Sequence, residues 1–180
     1  MRHLRLFGRF LLALAIIIAL PPLRAEETPD AILARGRQLY TEQGPQAALP
    51  VYEKALELYR KANDRRGEAI VLGYIGNCHK KFGDLPKALD YLNRALAIKR
   101  EIHDKLEEGK TLSHLGLVYW EMGDYRQAIA VLTECITLAR ELHDQELEAA
   151  ALNNLSLVYD EEGDYHHSLE QYQRALELHR

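Results

Sequence analysis

A repeat of forty residues constrains the fold of this 180-residue chain more than any other feature of its sequence. The pair Gly83-Asp84 recurs as Gly123-Asp124 and as Gly163-Asp164, and small residues recur in phase with it. These small residues are Gly36, Gly76, Gly116 and Ser156; Ala48, Ala88, Ala128 and Ser168; and Ala55, Ala95, Cys135 and Ala175. One unit of this size cannot bury its own apolar face, so successive units must stack. The repeat therefore predicts a solenoid and favours presentation of a surface over catalysis.

Each of the last three units has the pattern of two helices joined by the Gly-Asp turn. In the second unit, Leu72, Ile75 and His79 lie on one face at helical spacing. Gly83 is typical of a helix end, and Asp84 is a favourable N-cap for the next helix. The third and fourth units repeat this order of apolar residues, glycine and aspartate, so we expect a series of helix pairs.

A second set of recurring residues marks the junctions between units. Asp104 and Glu107 resemble a capping box, with aspartate in place of serine or threonine. The two His-Asp pairs in this set suggest a catalytic role, but their recurrence favours a histidine that offsets the helix dipole and an aspartate N-cap. We therefore expect no catalytic residues and no enzyme activity in these repeats. The set comprises Asn63-Asp64, His103-Asp104 and His143-Asp144.

The two ends of the repeat array depart from its pattern. In the first unit Arg35 replaces an apolar residue, and residues 43–45 (Gln-Gly-Pro) replace the Gly-Asp turn. An altered unit is expected at the edge of a solenoid, where its outer face meets water. At the other end, Arg180 falls inside the second helix of the fourth unit. This leaves two interpretations open: a fragment of a longer chain, or a protein that stacks end to end.

The first 25 residues have the composition of a secretory signal peptide. Arg2, Arg5 and Arg9 precede an uninterrupted apolar segment of eleven residues, 10–20, and Ala25 offers a small residue for cleavage. Eleven helical residues span about 17 Å, less than the hydrocarbon core of about 30 Å. We expect cleavage after residue 25 and a periplasmic or secreted protein, with an uncleaved membrane anchor as the alternative.

The charge of the chain argues against nucleic acid as a partner. The formal net charge is −4, and the predicted signal peptide contributes basic residues without any acid. The exported part is therefore more acidic than the whole chain, and it contains no basic run that would track a phosphate backbone.

The two cysteines occupy packing positions of the repeat. Cys78 aligns with Val118 and Val158, and Cys135 takes the place of small alanines in the other units. Two buried thiols that pack as small apolar groups are the favoured interpretation, and a disulfide is the alternative. Neither cysteine has the spacing of a metal ligand, so we expect no metal site and no cofactor.

The segment Leu112-x-x-Leu115-Gly116-x-x-Tyr119 and the Gly-Asp turns resemble the tetratricopeptide repeat family. The period of forty, longer than the usual length of about 34 residues, resembles the branch typified by kinesin light chain. The resemblance implies an all-α, right-handed solenoid of about four antiparallel helix pairs. We expect repeats at about 29–68, 69–108, 109–148 and 149–180.

The resemblance also implies a protein or peptide partner on the concave face, lined by the first helix of each pair. Asparagine amides suit an extended peptide backbone, tryptophan suits a binding hot spot, and lysines suit an acidic segment. The same residues also fit an ordinary solvated helix face, and Trp120 also fits packing between helices. The candidate binding residues are Tyr74, Asn77, Lys80, Lys110, His114, Leu117, Trp120, Asn153, Asn154 and Leu157.

The resemblance to exported bacterial proteins with long repeats of this kind implies a second interpretation of function. They often continue into a caspase-like CHAT peptidase domain or into a membrane span with a signalling output. The repeats would then be the sensor or regulatory segment of a larger protein. Self-association through the last helix is a further expectation.

Overall fold

The computed structural model describes residues 28–178, which form eight α-helices and no strand. Consecutive helices pair within each repeat, so the predicted all-α solenoid of four helix pairs is confirmed. The predicted signal peptide lies outside the described residues. The helices are α1 (Pro29–Gln43), α2 (Pro45–Lys61), α3 (Arg65–Lys81), α4 (Leu85–Glu101), α5 (Lys105–Glu121), α6 (Tyr125–Glu141), α7 (Gln145–Glu162) and α8 (Tyr165–Leu178).

The turn within each pair depends on a glycine in the left-handed region. Gly83, Gly123 and Gly163 have φ of 75°, 76° and 81°, which glycine adopts without steric cost. The turns between pairs use the same conformation with other residues: φ is 57° at His103 and 55° at His143. Histidine and asparagine tolerate this region better than most residues. The histidines of the His-Asp pairs therefore recur for their backbone conformation, and the expected interaction with the helix dipole is not needed to explain them.

The aspartates after these turns cap the helices as the sequence predicts. Asp64 accepts a hydrogen bond from the amide of Gly67 at 2.9 Å, and Asp84 accepts one from Lys87 at 3.3 Å. The predicted capping box at Asp104 is only half formed. Its carboxylate accepts from the amide of Glu107, but the Glu107 side chain pairs with lysines instead of returning to the cap.

The recurring small residues allow the two helices of a pair to approach closely. A Cβ added at Gly116 would lie 2.5 Å from Leu132, and one added at Gly36 would lie 2.5 Å from the Tyr52 ring. The thiol of Cys135 is buried and donates to a backbone carbonyl. Both cysteines are free and buried, which agrees with the packing interpretation and not with a disulfide.

The first helices of the pairs form the inner layer of the solenoid. The backbone of helix α3 closely approaches those of α1 and α5, and that of α5 approaches α7, whereas within residues 28–178 the backbones of the second helices, α2, α4, α6 and α8, do not approach one another as closely. Because the first helices are closer together, the stack bends towards them and their free sides form the concave face. None of the described helices combines the length and apolarity that crossing a membrane requires.

Candidate functional site

A depression of about 450 Å³ lies on the concave face where α1, α3 and α5 meet. Its walls come from the first helices of three successive units and from Tyr52 on α2, so the depression depends on the stacking of the units. Five of the ten residues proposed from sequence lie together here. The lining residues are Arg37, Tyr40, Thr41, Tyr52, Tyr74, Asn77, Lys80, Lys81, His114 and Leu117.

Tyrosines form one wall of this depression. The Tyr74 ring stacks on Tyr52 with centroids 5.2 Å apart and planes 13° apart, and Tyr52 is itself fully buried. Burial raises the pKa of both Tyr52 and Tyr40. The wall is therefore rigid and apolar, and both hydroxyls stay protonated and able to donate hydrogen bonds at neutral pH.

Cations dominate the charge around the depression. Arg37, Lys80 and Lys81 line it, and no acidic side chain is among its lining residues. The Lys80 ammonium group lies 3.5 Å from Glu121, which leaves two further cations beside the tyrosines. This arrangement suits an anionic group next to an apolar one.

His114 lies at the floor, shared with a neighbouring depression. Its Nδ1 lies 3.5 Å from the amide nitrogen of Asn77. Burial, reinforced by the positive charges of Lys80 and Lys99, lowers its pKa to about 4. At neutral pH this imidazole is uncharged, and because Nδ1 accepts from Asn77, the Nε2–H group remains as a hydrogen-bond donor.

The second depression, of about 470 Å³, lies between α5 and α7. Its charge is mixed, because Lys110 faces Asp144 and Glu146 across it. Lys110 is already paired with Glu107 at 2.8 Å. Asn154, another predicted residue, donates to the Ser113 hydroxyl at 3.0 Å and so ties α7 to α5. The lining residues are Leu106, Lys110, Ser113, His114, Asp144, Glu146, Leu147 and Ala150.

Four predicted residues line neither depression: Asn154, whose contact with Ser113 is given above, and three others. Trp120 is half-buried and packs against the core cluster of the second to fourth units, which is the packing role that its sequence position also allows, and its role in binding stays a prediction. Asn153 is half-buried, and Leu157 is exposed over 47% of its surface. Both lie on α7, beyond the enclosed part of the groove.

Three lining residues on α1 were missed from sequence because they belong to the atypical first unit. Arg37, Tyr40 and Thr41 stand forty residues before Asn77, Lys80 and Lys81. The repeat register that identified the later residues points equally to the earlier ones, so the register itself was the available signal. The altered turn of the first unit does not disturb this face.

A buried polar network lies between α4 and α5, and its residues line a smaller depression between α3 and α5. The ammonium group of Lys99, only 4% exposed, donates to the Thr111 hydroxyl at 2.7 Å and lies 3.4 Å from Glu107. Burial lowers the pKa of Lys99, while the nearby Glu107 opposes that shift. The sister units place Tyr59 and Ala139 at the lysine position, so this network belongs to the second-to-third junction.

A stack of helix pairs whose first helices line a polar and aromatic concave face defines a helical-repeat solenoid protein. The sequence profile described as Tetratricopeptide repeat matches residues 30–101 and 107–180. The chain therefore belongs to the tetratricopeptide repeat family. A comparison with curated proteins finds no match.

Solved structures share this fold at low sequence identity. BtubC (BKLC) from P. vanneervenii superimposes with a TM-score of 0.76 at 19% identity, over 84% of this chain and 63% of that one. A putative kinesin light chain from Podosopora anserina gives 0.70 at 13% identity, over 83% and 74%. A Rap protein complexed with Competence and Sporulation Factor gives 0.77 at 20% identity, over 83% and 42%. The chain thus spans less than two thirds of the BtubC and Rap structures.

Proposed function

We propose that this protein is a non-catalytic scaffold that binds an extended peptide or protein segment along its concave face. The observation that carries the proposal is the depression between α1, α3 and α5, which collects side chains from three units. A ligand held there must contact all three units at once. An extended segment fits this requirement because the depression continues past His114 into a second one.

The chemistry of the first depression favours a peptide with an acidic residue beside an apolar one. Arg37 and Lys81 supply the positive charge, and Tyr74 and Leu117 supply the apolar contact. The solved Rap protein, which has a similar fold, was complexed with Competence and Sporulation Factor. That precedent belongs to the Rap protein, and it supports ligand binding by a solenoid of this shape.

A random linear-peptide library, displayed on phage and selected on the full chain, tests the proposal. Selected peptides are then synthesised and their affinities measured by fluorescence polarisation. We expect acidic residues to be enriched, and we expect Lys81→Glu and Leu117→Ala each to weaken binding by about tenfold. This corresponds to the loss of about 1.4 kcal/mol.

The matched control is Arg126→Glu, which reverses an exposed charge on α6, a second helix away from the groove. It should leave peptide affinity unchanged. Equal losses of peptide affinity in Lys81→Glu and Arg126→Glu would show that the peptide responds to the overall charge of the protein and not to a site in the groove. Binding that is indifferent to all three variants would refute the concave-face proposal.

A second candidate is that these repeats form the sensor segment of a larger peptidase, of the CHAT type, or of a signalling protein. It is favoured by the size of the related structures, since the chain spans only 42% of the Rap protein. The same groove would then report ligand binding to an output domain. Reading the coding sequence downstream of residue 180 decides this: an output domain supports the candidate, and an immediate stop codon removes it.

Self-association is a further proposal, carried by the exposed apolar side chains of α8. Its outer surface exposes Tyr165, Leu169, Tyr172 and Leu176 by 47–69%. Contact of this surface with α1 of a second copy is disfavoured, because α1 has exposed Arg35 where α3 has buried Ile75. We therefore propose that two copies meet through their α8 helices.

Light scattering of the full chain tests this contact between copies. We expect a dimer. Leu169→Glu should raise the dissociation constant of this dimer at least tenfold, and Arg126→Glu should leave it unchanged. A monomer at every accessible concentration would exclude this contact.

We also propose that residues 1–25 direct export and are removed. The support is the basic, apolar and small-residue order of that segment. Mass spectrometry of the protein from a bacterial periplasmic extract should give a chain that begins at Glu26. An intact chain in the membrane fraction would instead assign the segment as an anchor.

A further inference from the structure

Three side chains of metal-ligating type meet on the first turns of α8. The ligand atoms of His166, His167 and Glu170 all lie within 4.8 Å of one another, and all three residues are exposed. The prediction of no metal site rests on the spacing around the two cysteines. The His-His-x-x-Glu spacing of α8 is a separate pattern in the same sequence.

The surroundings of His167 resemble those of a metal ligand. The Asp164 carboxylate lies 2.6 Å from its Nδ1, and the Tyr159 ring stacks on it with centroids 5.2 Å apart. A hydrogen bond from Nδ1–H to a carboxylate fixes the tautomer and leaves the Nε2 lone pair free. Histidines that bind metals usually have such a partner on the other ring nitrogen.

The sister units show that the fold does not require these residues. The positions of His166, His167 and Glu170 are occupied by Pro86, Lys87 and Asp90 in the second unit, and by Arg126, Gln127 and Ala130 in the third. In the second unit the equivalent aspartate, Asp84, pairs with the Lys87 ammonium group at 2.7 Å. Only the fourth unit combines two imidazoles, a carboxylate and an orienting aspartate.

We propose that His166, His167 and Glu170 bind one divalent transition-metal ion of the zinc type. Two imidazole nitrogens and one carboxylate oxygen are a donor set that zinc accepts, with water in the fourth position. Calcium and magnesium prefer all-oxygen sites and fit this set poorly. Tetrahedral donors about 2.0–2.1 Å from zinc lie about 3.4 Å apart. The ligand atoms now lie within 4.8 Å of one another, and rotation of these exposed side chains brings them to the shorter donor–donor distance.

Calorimetric titration of the untagged full chain with zinc chloride tests the proposal. We expect one zinc ion per chain, and we expect cobalt(II) at the same site to give the visible absorption of a tetrahedral complex. The triple variant His166→Arg, His167→Gln and Glu170→Ala carries the residues of the third unit, so it should keep the circular dichroism of the wild type. It should bind zinc at least tenfold more weakly and lose the cobalt spectrum.

Two further variants separate this site from chance binding to histidine. The double variant His103→Asn and His143→Asn introduces the residue that the first junction carries at Asn63, and it should bind zinc like the wild type. Asp164→Asn keeps an N-cap residue but removes the orienting carboxylate, and it should weaken zinc binding by about tenfold. The proposal is overturned if the triple variant keeps wild-type affinity, or if the double variant loses as much affinity as the triple variant does.

Discussion

The side-chain amide nitrogen of Asn77 lies 3.5 Å from Nδ1 of His114. This contact joins α3 and α5 at the floor of the concave face. Two units thus share one polar contact directly beneath the proposed ligand. Because the imidazole is buried, its charge state affects both the groove and the stability of the junction.

Stability should fall as the pH is lowered through the range in which His114 resists protonation. Its pKa is lowered from 6.5 to about 4 in the folded protein, so between these values the unfolded chain binds more protons. The free energy of unfolding therefore decreases as the pH falls, by up to about 3 kcal/mol once the pH is below the folded pKa. Above pH 7 the imidazole is neutral in both states, so His114 causes no such decrease. Urea denaturation from pH 4 to 7 should show a weaker pH dependence in His114→Gln. Identical slopes would mean that His114 titrates normally.

Packing between α3 and α4 should be sensitive to a single methyl group at Gly76. An added Cβ would lie 2.9 Å from the Leu92 side chain and 3.3 Å from the backbone oxygen of Ala88. Because a backbone atom cannot move aside cheaply, we expect Gly76→Ala to lower the free energy of unfolding by about 1–3 kcal/mol.

Gly73 provides the matched control in the same helix. A Cβ at Gly73 meets nothing within 4 Å. Gly73→Ala should therefore gain helix propensity and raise the stability by about 0.5–1 kcal/mol. Thermal denaturation of both variants checks this opposite pair of effects. Destabilisation of similar size in both would contradict the packing argument.

The ion pair between Arg100 and Glu108 should stabilise the second-to-third junction. Glu108 is 4% exposed and accepts from Arg100 at 3.0 Å and from Lys105 at 2.9 Å. Burial acts to raise its pKa, but these two bonds outweigh it and lower the pKa. Glu108→Gln should cost about 2 kcal/mol. This contribution is present above the unfolded pKa and is lost as the pH falls through the lowered folded value.

The second carboxylate that contacts Arg100 gives the control. Glu134 is half exposed, so Glu134→Gln should change the stability by no more than about 0.5 kcal/mol. Urea denaturation of the two variants at neutral pH makes the comparison. Equal costs would indicate that burial of Glu108 adds nothing to its ion pairs.

Trp120 should contribute to stability rather than to ligand binding. Its ring packs against the core and lines neither depression. We expect Trp120→Ala to lower the free energy of unfolding by about 2 kcal/mol, which is less than for a fully buried ring. Affinity for library-selected peptides should stay within about twofold. Lost binding with unchanged thermal stability would restore Trp120 as a contact residue.

Much of the fold could be predicted from the repeat register, because the register encodes local requirements. Glycine at Gly83 satisfies a left-handed turn, and Asp84 satisfies the free amides of the next helix. Both requirements act within a few residues of the chain. The small residues that recur in phase likewise predict where the two helices of a pair approach each other. The space beside each small residue is filled by one side chain of the paired helix.

The groove was only partly predictable, because helical spacing defines a face without showing what lies across from it. His114 and Trp120 are both on α5 and both fit the predicted face. Contact between α3 and α5 surrounds His114 with groove residues, whereas Trp120 meets the core beyond it. The curvature of the stack decides this difference, and curvature arises from contacts between units.

The sequence by itself determined the helix pairs, their caps and turns, and the tetratricopeptide repeat family, because each follows from local conformation repeated in phase. Only the tertiary structure placed Arg37 and Lys81 in the lining of one depression and buried Glu108 beneath Arg100. Their meeting depends on how the helices stack and which rotamers the side chains adopt. Those distances are not fixed by the spacing of residues along the chain.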